Sequence, residues 1–244
     1  MLICPQRKFI FFKPLKCAGT SVEHALYAVT GPDALCTGSS SGSGEIEYDS
    51  RNNELLVNGQ QAMRFVQHTP PGLFYSRVAD PDWYYDYANI TIVRNPWDSL
   101  VSFYWWCVRR AGTAEEWIIK PDDSPGDMVK KFETVMTMPA IYSNDLIAHE
   151  IGLGASVSSA FIFFHTLNNL FIDDRIDCYL HFESLERDFS DLCAELQIND
   201  AKLHKHKTSQ RKMKSDYRKY YNSWMRNIVA EKFSSYIKKF NYSF

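Results

Sequence analysis

The sequence predicts an α/β fold, a central parallel sheet with helices on both faces, and three observations carry that expectation. Apolar runs rich in β-branched and aromatic residues recur along the chain, and YANITIVR (87–94) is the clearest buried strand among them. Amphipathic segments of helical length stand between these runs, and such alternation brings parallel strands together under crossover helices. A length of 244 residues with 45% hydrophobic and 15% aromatic content suits one packed domain over 1–244 rather than a disordered chain.

The elements follow in order. KFIFF (8–12) is the first strand, residues 13–20 are a loop, and a helix runs from Ser21 to about Val29. The Ser/Gly-rich CTGSSSGSGE (36–45) reads as a flexible loop or insertion, and 46–57 alternates weakly as a small hairpin. RFVQH (64–68) reads as a strand that Pro70 and Pro71 end. After the strand 87–94, Asn95-Pro96 opens the helix DSLVSFYWWCVRR, with Asp98 in the first turn where the helix dipole favours a carboxylate. Residues 112–175 read as a variable helical insertion broken by Pro121, Pro125, Pro139, Gly152 and Gly154. CYLHFESL (178–185) is a strand entering a turn, RDFSDLCAELQI (187–198) an amphipathic helix, and 215–240 one long C-terminal helix. Trp83, Tyr84, Tyr85, Trp105 and Trp106 are expected mainly in the core, with some available to line an acceptor pocket.

Composition narrows the function classes. Cysteines 4, 17, 36, 107, 178 and 193 show no metal-ligand spacing, so free thiols and a cytoplasmic location are expected. MLICPQRK lacks the apolar run of a signal peptide, and VSSAFIFFHTLNNLFI (157–172) is too short and polar to span a bilayer. The sequons at Asn89 and Asn241 read as accidental, the first lying inside an apolar strand. Charge is uneven. Residues 201–244 hold 12 Lys/Arg against Asp216 and Glu231, a balance of +10, while the preceding 200 residues stand at −12. A basic tail is either a solvated helix face or part of an anion site. No aromatic-interleaved basic stripe or DNA-binding motif is present, so nucleic acid is not an expected partner.

The stretch FIFFKPLKCAGTSVEHAL (9–26) has the strand–loop–helix form that offers backbone N–H groups and a positive helix end to a phosphate. Ala18 and Gly19 allow close approach, Thr20 and Ser21 add hydroxyls, and Lys16 adds charge. The nucleotide triphosphate motif GxxxxGK[ST] is absent, and the strand 87–93 runs into Arg94 where a magnesium-binding acid would be expected. The loop therefore reads as an anion site with no metal.

PLKCAGTS together with VRNPWDSLVSFY (93–104) resembles the sulfotransferase superfamily, which uses 3′-phosphoadenosine-5′-phosphosulfate (PAPS), in its carbohydrate-sulfotransferase-like branch. The likeness continues through HFESLERDF, HKTSQRKMKSDYRKYY and the terminal FNYSF, in family order, while residues 110–175 resemble nothing in it. It implies a three-layer, P-loop-like fold with a central parallel sheet. It also implies that the backbone and side chains of Lys16, Cys17, Ala18, Gly19, Thr20 and Ser21 hold the 5′-phosphosulfate, with Lys16 at the oxygen bridging phosphate and sulfur. Arg94 and Ser102 match the pair that binds the 3′-phosphate, and Thr208 and Arg211, helped by Lys207 and Lys212, match a loop closing over the nucleotide. One departure is Pro14-Leu15 where the family often has Ile-Pro.

His68, at the end of the strand 64–68, is the expected general base, because imidazole accepts a proton near neutral pH with little tuning. His24 and the pair His204/His206 are its rivals; His181 is expected to face into the sheet, and Glu183 to be a helix-terminus acid. The expected reaction moves a sulfuryl group from PAPS to a hydroxyl or amine of a small-molecule or saccharide acceptor, leaving adenosine 3′,5′-bisphosphate. A P-loop small-molecule kinase and a non-catalytic nucleotide-binding protein on the same fold are the alternatives.

Overall fold

The computed structural model describes residues 1–40, 46–48, 55–57, 61–63, 65–78, 81–111, 116–138, 159–204 and 216–244. The chain divides into two compact units, Met1–Val93 with Leu170–His206, and Arg94–Asn169 with Lys207–Phe244.

The first unit is built on a five-stranded sheet. Strands β1 (Leu2–Cys4), β2 (Phe9–Phe11), β3 (Leu35–Cys36), β8 (Ala88–Val93) and β9 (Cys178–His181) lie in the order β3-β1-β2-β8-β9. Only β2, β8 and β9 are parallel; β1 pairs antiparallel with both β2 and β3, so the sheet is mixed where a parallel one was expected. The cause is local. A single 3₁₀ turn, Pro5–Arg7, followed by Lys8 in the left-handed region (φ 49°), reverses the chain within four residues of β1. A connection that short permits only an antiparallel pair. Helices α1 (Gly19–Val29) and α6 (Leu185–Glu195) cover the sheet with Val22, Ala25, Leu26, Phe189 and Leu192, which join Phe9, Phe11, Ile90, Ile92 and Leu180 in one core. Around Phe74 of α2 (Pro71–Arg77) gather Phe12, Phe65 and Tyr84, with ring centroids 5.3–5.7 Å away.

Between β3 and α2 the chain makes two small antiparallel ladders: β4 (Ser39–Ser40) with β5 (Ile46–Tyr48), and β6 (Leu55–Val57) with β7 (Gln61–Met63). The Ser/Gly run thus contributes strand at both Cys36 and Ser39–Ser40, and 46–57 is divided between two hairpins. Residues 41–45 lie outside the described residues. The strand expected at 64–68 is a turn over Gln67 and His68, the last strand before it ending at Met63. Asn89 is buried in β8, its side chain donating to the Arg175 carbonyl and accepting from Tyr75.

The second unit is helical: α3 (Pro96–Ala111), α4 (Pro125–Glu133), α5 (Ala160–Asn169), α7 (Ser223–Lys232) and α8 (Ser234–Phe240). Phe103, Tyr104 and Trp105 of α3 are fully buried; Tyr104 donates to the Trp117 carbonyl at 2.7 Å and packs its ring on Phe132. The long helix expected over 215–240 is three pieces. A 3₁₀ turn spans Tyr217–Tyr220, Asn222 caps α7 by accepting from the Met225 N–H, and buried Phe233 breaks the path into α8. Aromatic packing of Phe233 against Phe164, His165 and Tyr236 outweighs helix propensity there. Of the expected aromatic set, Trp105 is core, Trp106 and Tyr84 are half-buried, Tyr85 is 91% exposed, and the Trp83 side chain lies outside the described residues. The six cysteines are free thiols, and no helix among the described residues is long and apolar enough to cross a membrane.

Candidate functional site

In the first unit the carboxyl ends of β2, β8 and β9 lie at one edge of the sheet, where ligands of such folds collect. The loop after β2 turns there. Lys16 (φ 60°) and Ala18 (φ 62°) both sit in the left-handed region, which a non-glycine residue enters only at a cost of about 1 kcal/mol or more. Ala18 is also the N-cap of α1: it has no capping side chain, and the first turn carries no acid. The positive end of α1 therefore has no carboxylate of its own chain in its first turn, the condition under which it attracts an anion. Lys16, Ala18 and Thr20 are half-buried at this turn. Cys17 faces the core and donates to the Leu15 carbonyl, and Ser21 is buried too.

The two lysines of the loop part company. Lys13 is 1% exposed and its ammonium is paired with Glu23, itself fully buried on α1. The Met1 ammonium takes the other oxygen of Glu23 and donates to Thr37 Oγ1 at 2.8 Å. Burial pushes the Glu23 carboxyl up, but attraction to Lys13 and the Met1 ammonium, with their hydrogen bonds, outweighs it and sets the pKa at about 2. Gly19 has a steric reason in this cluster. A Cβ there would lie 2.4 Å from Lys13 Cγ, so the glycine makes room for the lysine stem.

His68 is tied to the same loop, its Nδ1 lying 2.8 Å from the Lys13 carbonyl oxygen. A carbonyl only accepts, so Nδ1 carries the proton and Nε2 is the basic nitrogen. Burial and then the Lys13 charge lower its pKa to about 3, so the ring is neutral across the physiological range. His181, expected inside the sheet, is instead half-exposed at the end of β9, with Nδ1 3.1 Å from Asp188 Oδ2. Asp188 also accepts from the His181 backbone and from Ser184, so this carboxylate closes the β9–α6 turn. The His24 and His204 rings stand 6.3 Å apart, and Glu183 is exposed.

In the second unit Arg94 is the first residue and is 9% exposed. Its Nε and Nη2 donate to Asp98 Oδ2 at 3.0 and 2.6 Å, so the dipole-favoured acid of α3 also grips the arginine head. Asn95 caps α3 through its side-chain oxygen, accepting from the Trp97 N–H at 3.1 Å. Ser102 lies half-buried on α3. Thr208 and Arg211, with Lys207 and Lys212, lie outside the described residues.

Two contacts at these residues were not anticipated from the sequence. Glu23 was given no role from the sequence, although Val22, Ala25 and Leu26 around it mark the buried face of α1. Tyr236, in the aromatic series Phe233, Tyr236, Phe240, was likewise given no role, yet its hydroxyl bonds the Arg94 backbone. Among the described residues no group of three or more His, Cys, Asp or Glu could hold a metal ion. Compared with protein-family models, curated proteins and solved structures, the chain matches none.

Proposed function

We propose that the chain is a PAPS-dependent sulfotransferase, acting on a hydroxyl or amine of a small-molecule or saccharide acceptor. The observation that carries the reading is the loop after β2. It ends in an α1 N-terminus with neither a side-chain cap nor a first-turn acid, reached through two left-handed residues, and its motif PLKCAGTS is the one the superfamily places around the phosphosulfate. The donor supplies the sulfuryl group and departs as adenosine 3′,5′-bisphosphate. Lys16 stabilises the negative charge that grows on the departing oxygen, where a fixed cation is worth most. His68 Nε2 takes the acceptor proton as the new bond to sulfur forms, while the Nδ1–H stays on the Lys13 carbonyl and keeps the tautomer. A pKa near 3, set first by burial, makes a weak base, and a bound polyanion beside the ring raises it by favouring the imidazolium.

Lys13 has no part in this chemistry beyond its carbonyl, because its ammonium is neutralised by Glu23. Arg94 and Ser102 are assigned to the 3′-phosphate, and Thr208 and Arg211 to the closing loop, by the resemblance of their motifs. Free thiols fit a reducing, cytoplasmic setting.

Thermal melting tests the reading. Adenosine 3′,5′-bisphosphate at about 100 times Kd should stabilise the chain by roughly 2.7 kcal/mol, and ATP with magnesium should not. Lys16→Ala should lower sulfuryl turnover by about 10²–10³-fold with melting unchanged. A shift with ATP–magnesium and none with the bisphosphate makes the protein a kinase instead. Tight bisphosphate binding without turnover makes it a non-catalytic nucleotide-binding protein.

A further inference from the structure

We propose that Tyr236 is a positioning residue that holds Arg94 in place for a 3′-phosphate, an inference that rests on the sulfotransferase reading of Arg94. The ladder of β8 ends at Val93, so the backbone of Arg94 has left the sheet and needs other partners. One side-chain atom supplies both. The Tyr236 hydroxyl accepts from the Arg94 N–H at 2.9 Å and donates to the Arg94 carbonyl at 3.1 Å. A phenol has one proton and spare lone pairs, so both bonds form together. Tyr236 is 5% exposed, and its ring is wedged between Phe233 and Phe240 at 5.8 and 5.1 Å and stacked on Tyr242 at 5.9 Å.

The arginine is therefore held at two points by two helices. Tyr236 of α8 pins its backbone, and Asp98 of α3 orients its guanidinium. Fixing a cation before the ligand arrives removes the ordering cost from binding, and a hydroxyl bonded to both backbone groups also fixes the direction in which the side chain leaves. The effect should fall on recognition of the phosphate that Arg94 meets and not on the rest of the nucleotide.

The test is to titrate wild type and Tyr236→Phe with adenosine 3′,5′-bisphosphate and with adenosine 5′-monophosphate, which lacks the 3′-phosphate. Removing one oxygen should weaken bisphosphate binding by about tenfold and monophosphate binding by less than about twofold. Equal affinities of variant and wild type for the bisphosphate overturn the positioning role and leave the sulfotransferase reading standing, as does an equal loss toward both ligands. Wild type that does not prefer the bisphosphate removes the reading of Arg94 itself. Should Tyr236→Phe not fold, amide exchange in wild type decides. The bisphosphate, and not the monophosphate, should slow exchange of the Arg94 N–H bonded to Tyr236, and equal exchange with both ligands overturns the inference.

Discussion

Lys13 in the first unit and Arg94 in the second are both cations held by a carboxylate of a neighbouring helix, yet the two pairs are built to different depths. Lys13 and Glu23 have side chains exposed by 1% and 0%, and the Met1 ammonium completes the cluster. Arg94 and Asp98 are exposed by 10% and 17%, and the arginine backbone is held separately by Tyr236. A fully buried charge is satisfied by its partner or it destabilises the fold, so Lys13 belongs to the architecture. A shallower pair, with its backbone anchored, leaves water and ligand able to compete for the head group. In a loop with two lysines, depth sets them apart: Lys13 is buried with Glu23 and Lys16 is half-buried.

Four measurements would break or sharpen that contrast. Glu23→Gln leaves two buried ammonium groups facing a neutral amide, and urea denaturation should show a loss of about 3–5 kcal/mol; a loss below about 1 kcal/mol would put the cluster in contact with solvent. Gly19→Ala should cost about 1–3 kcal/mol, because the new methyl meets the Lys13 stem and not open space. If that variant is as stable as wild type and only ligand binding suffers, the glycine serves the ligand after all.

Acid should act on the first unit through two groups. Unfolded, His68 titrates near 6.5 and Glu23 near 4.5; folded, they titrate near about 3 and about 2. Between those values the unfolded chain holds the extra protons, so stability falls as pH falls: through His68 from pH 6.5 to about 3, and through Glu23 from pH 4.5 to about 2. Each group contributes up to about 1.4 kcal/mol per pH unit inside its window. His68→Gln should flatten the curve from pH 6.5 down to 4.5 and leave the lower limb; an unchanged curve would mean that His68 titrates alike in both states. Asp98→Asn is the mildest change, about 1 kcal/mol or less by denaturation. A cost equal to that of Glu23→Gln would erase the distinction between the two pairs.

Much of the fold was legible because it is written in short-range pattern. The strand Ala88–Val93 is a buried run rich in β-branched residues, Asn95-Pro96 announces the start of α3, and Ala18 and Gly19 mark the start of α1. Local sequence also indicated a loop offering backbone donors at residues 13–20, and this is where Lys16 and Ala18 take left-handed geometry. The antiparallel edge was not legible, since β1 is three residues long and its partners are chosen by a turn and by the pairing of Leu2 with both Phe11 and Cys36. Nor was the break at Phe233, where helix propensity continues and only the surrounding rings say otherwise.

By itself the sequence determined the α/β class, the strand–loop–helix turn and the residue types that could meet an anion there, because spacing and side-chain chemistry are properties of the chain. Tertiary structure alone decided that Lys13 pairs with Glu23, that His68 carries its proton on Nδ1, and that Tyr236, 142 residues from Arg94, holds its backbone. The physical reason is common to all three. Burial and hydrogen-bond partnership are set by residues far apart in the chain, and it is these that fix which charge is satisfied and which nitrogen is basic.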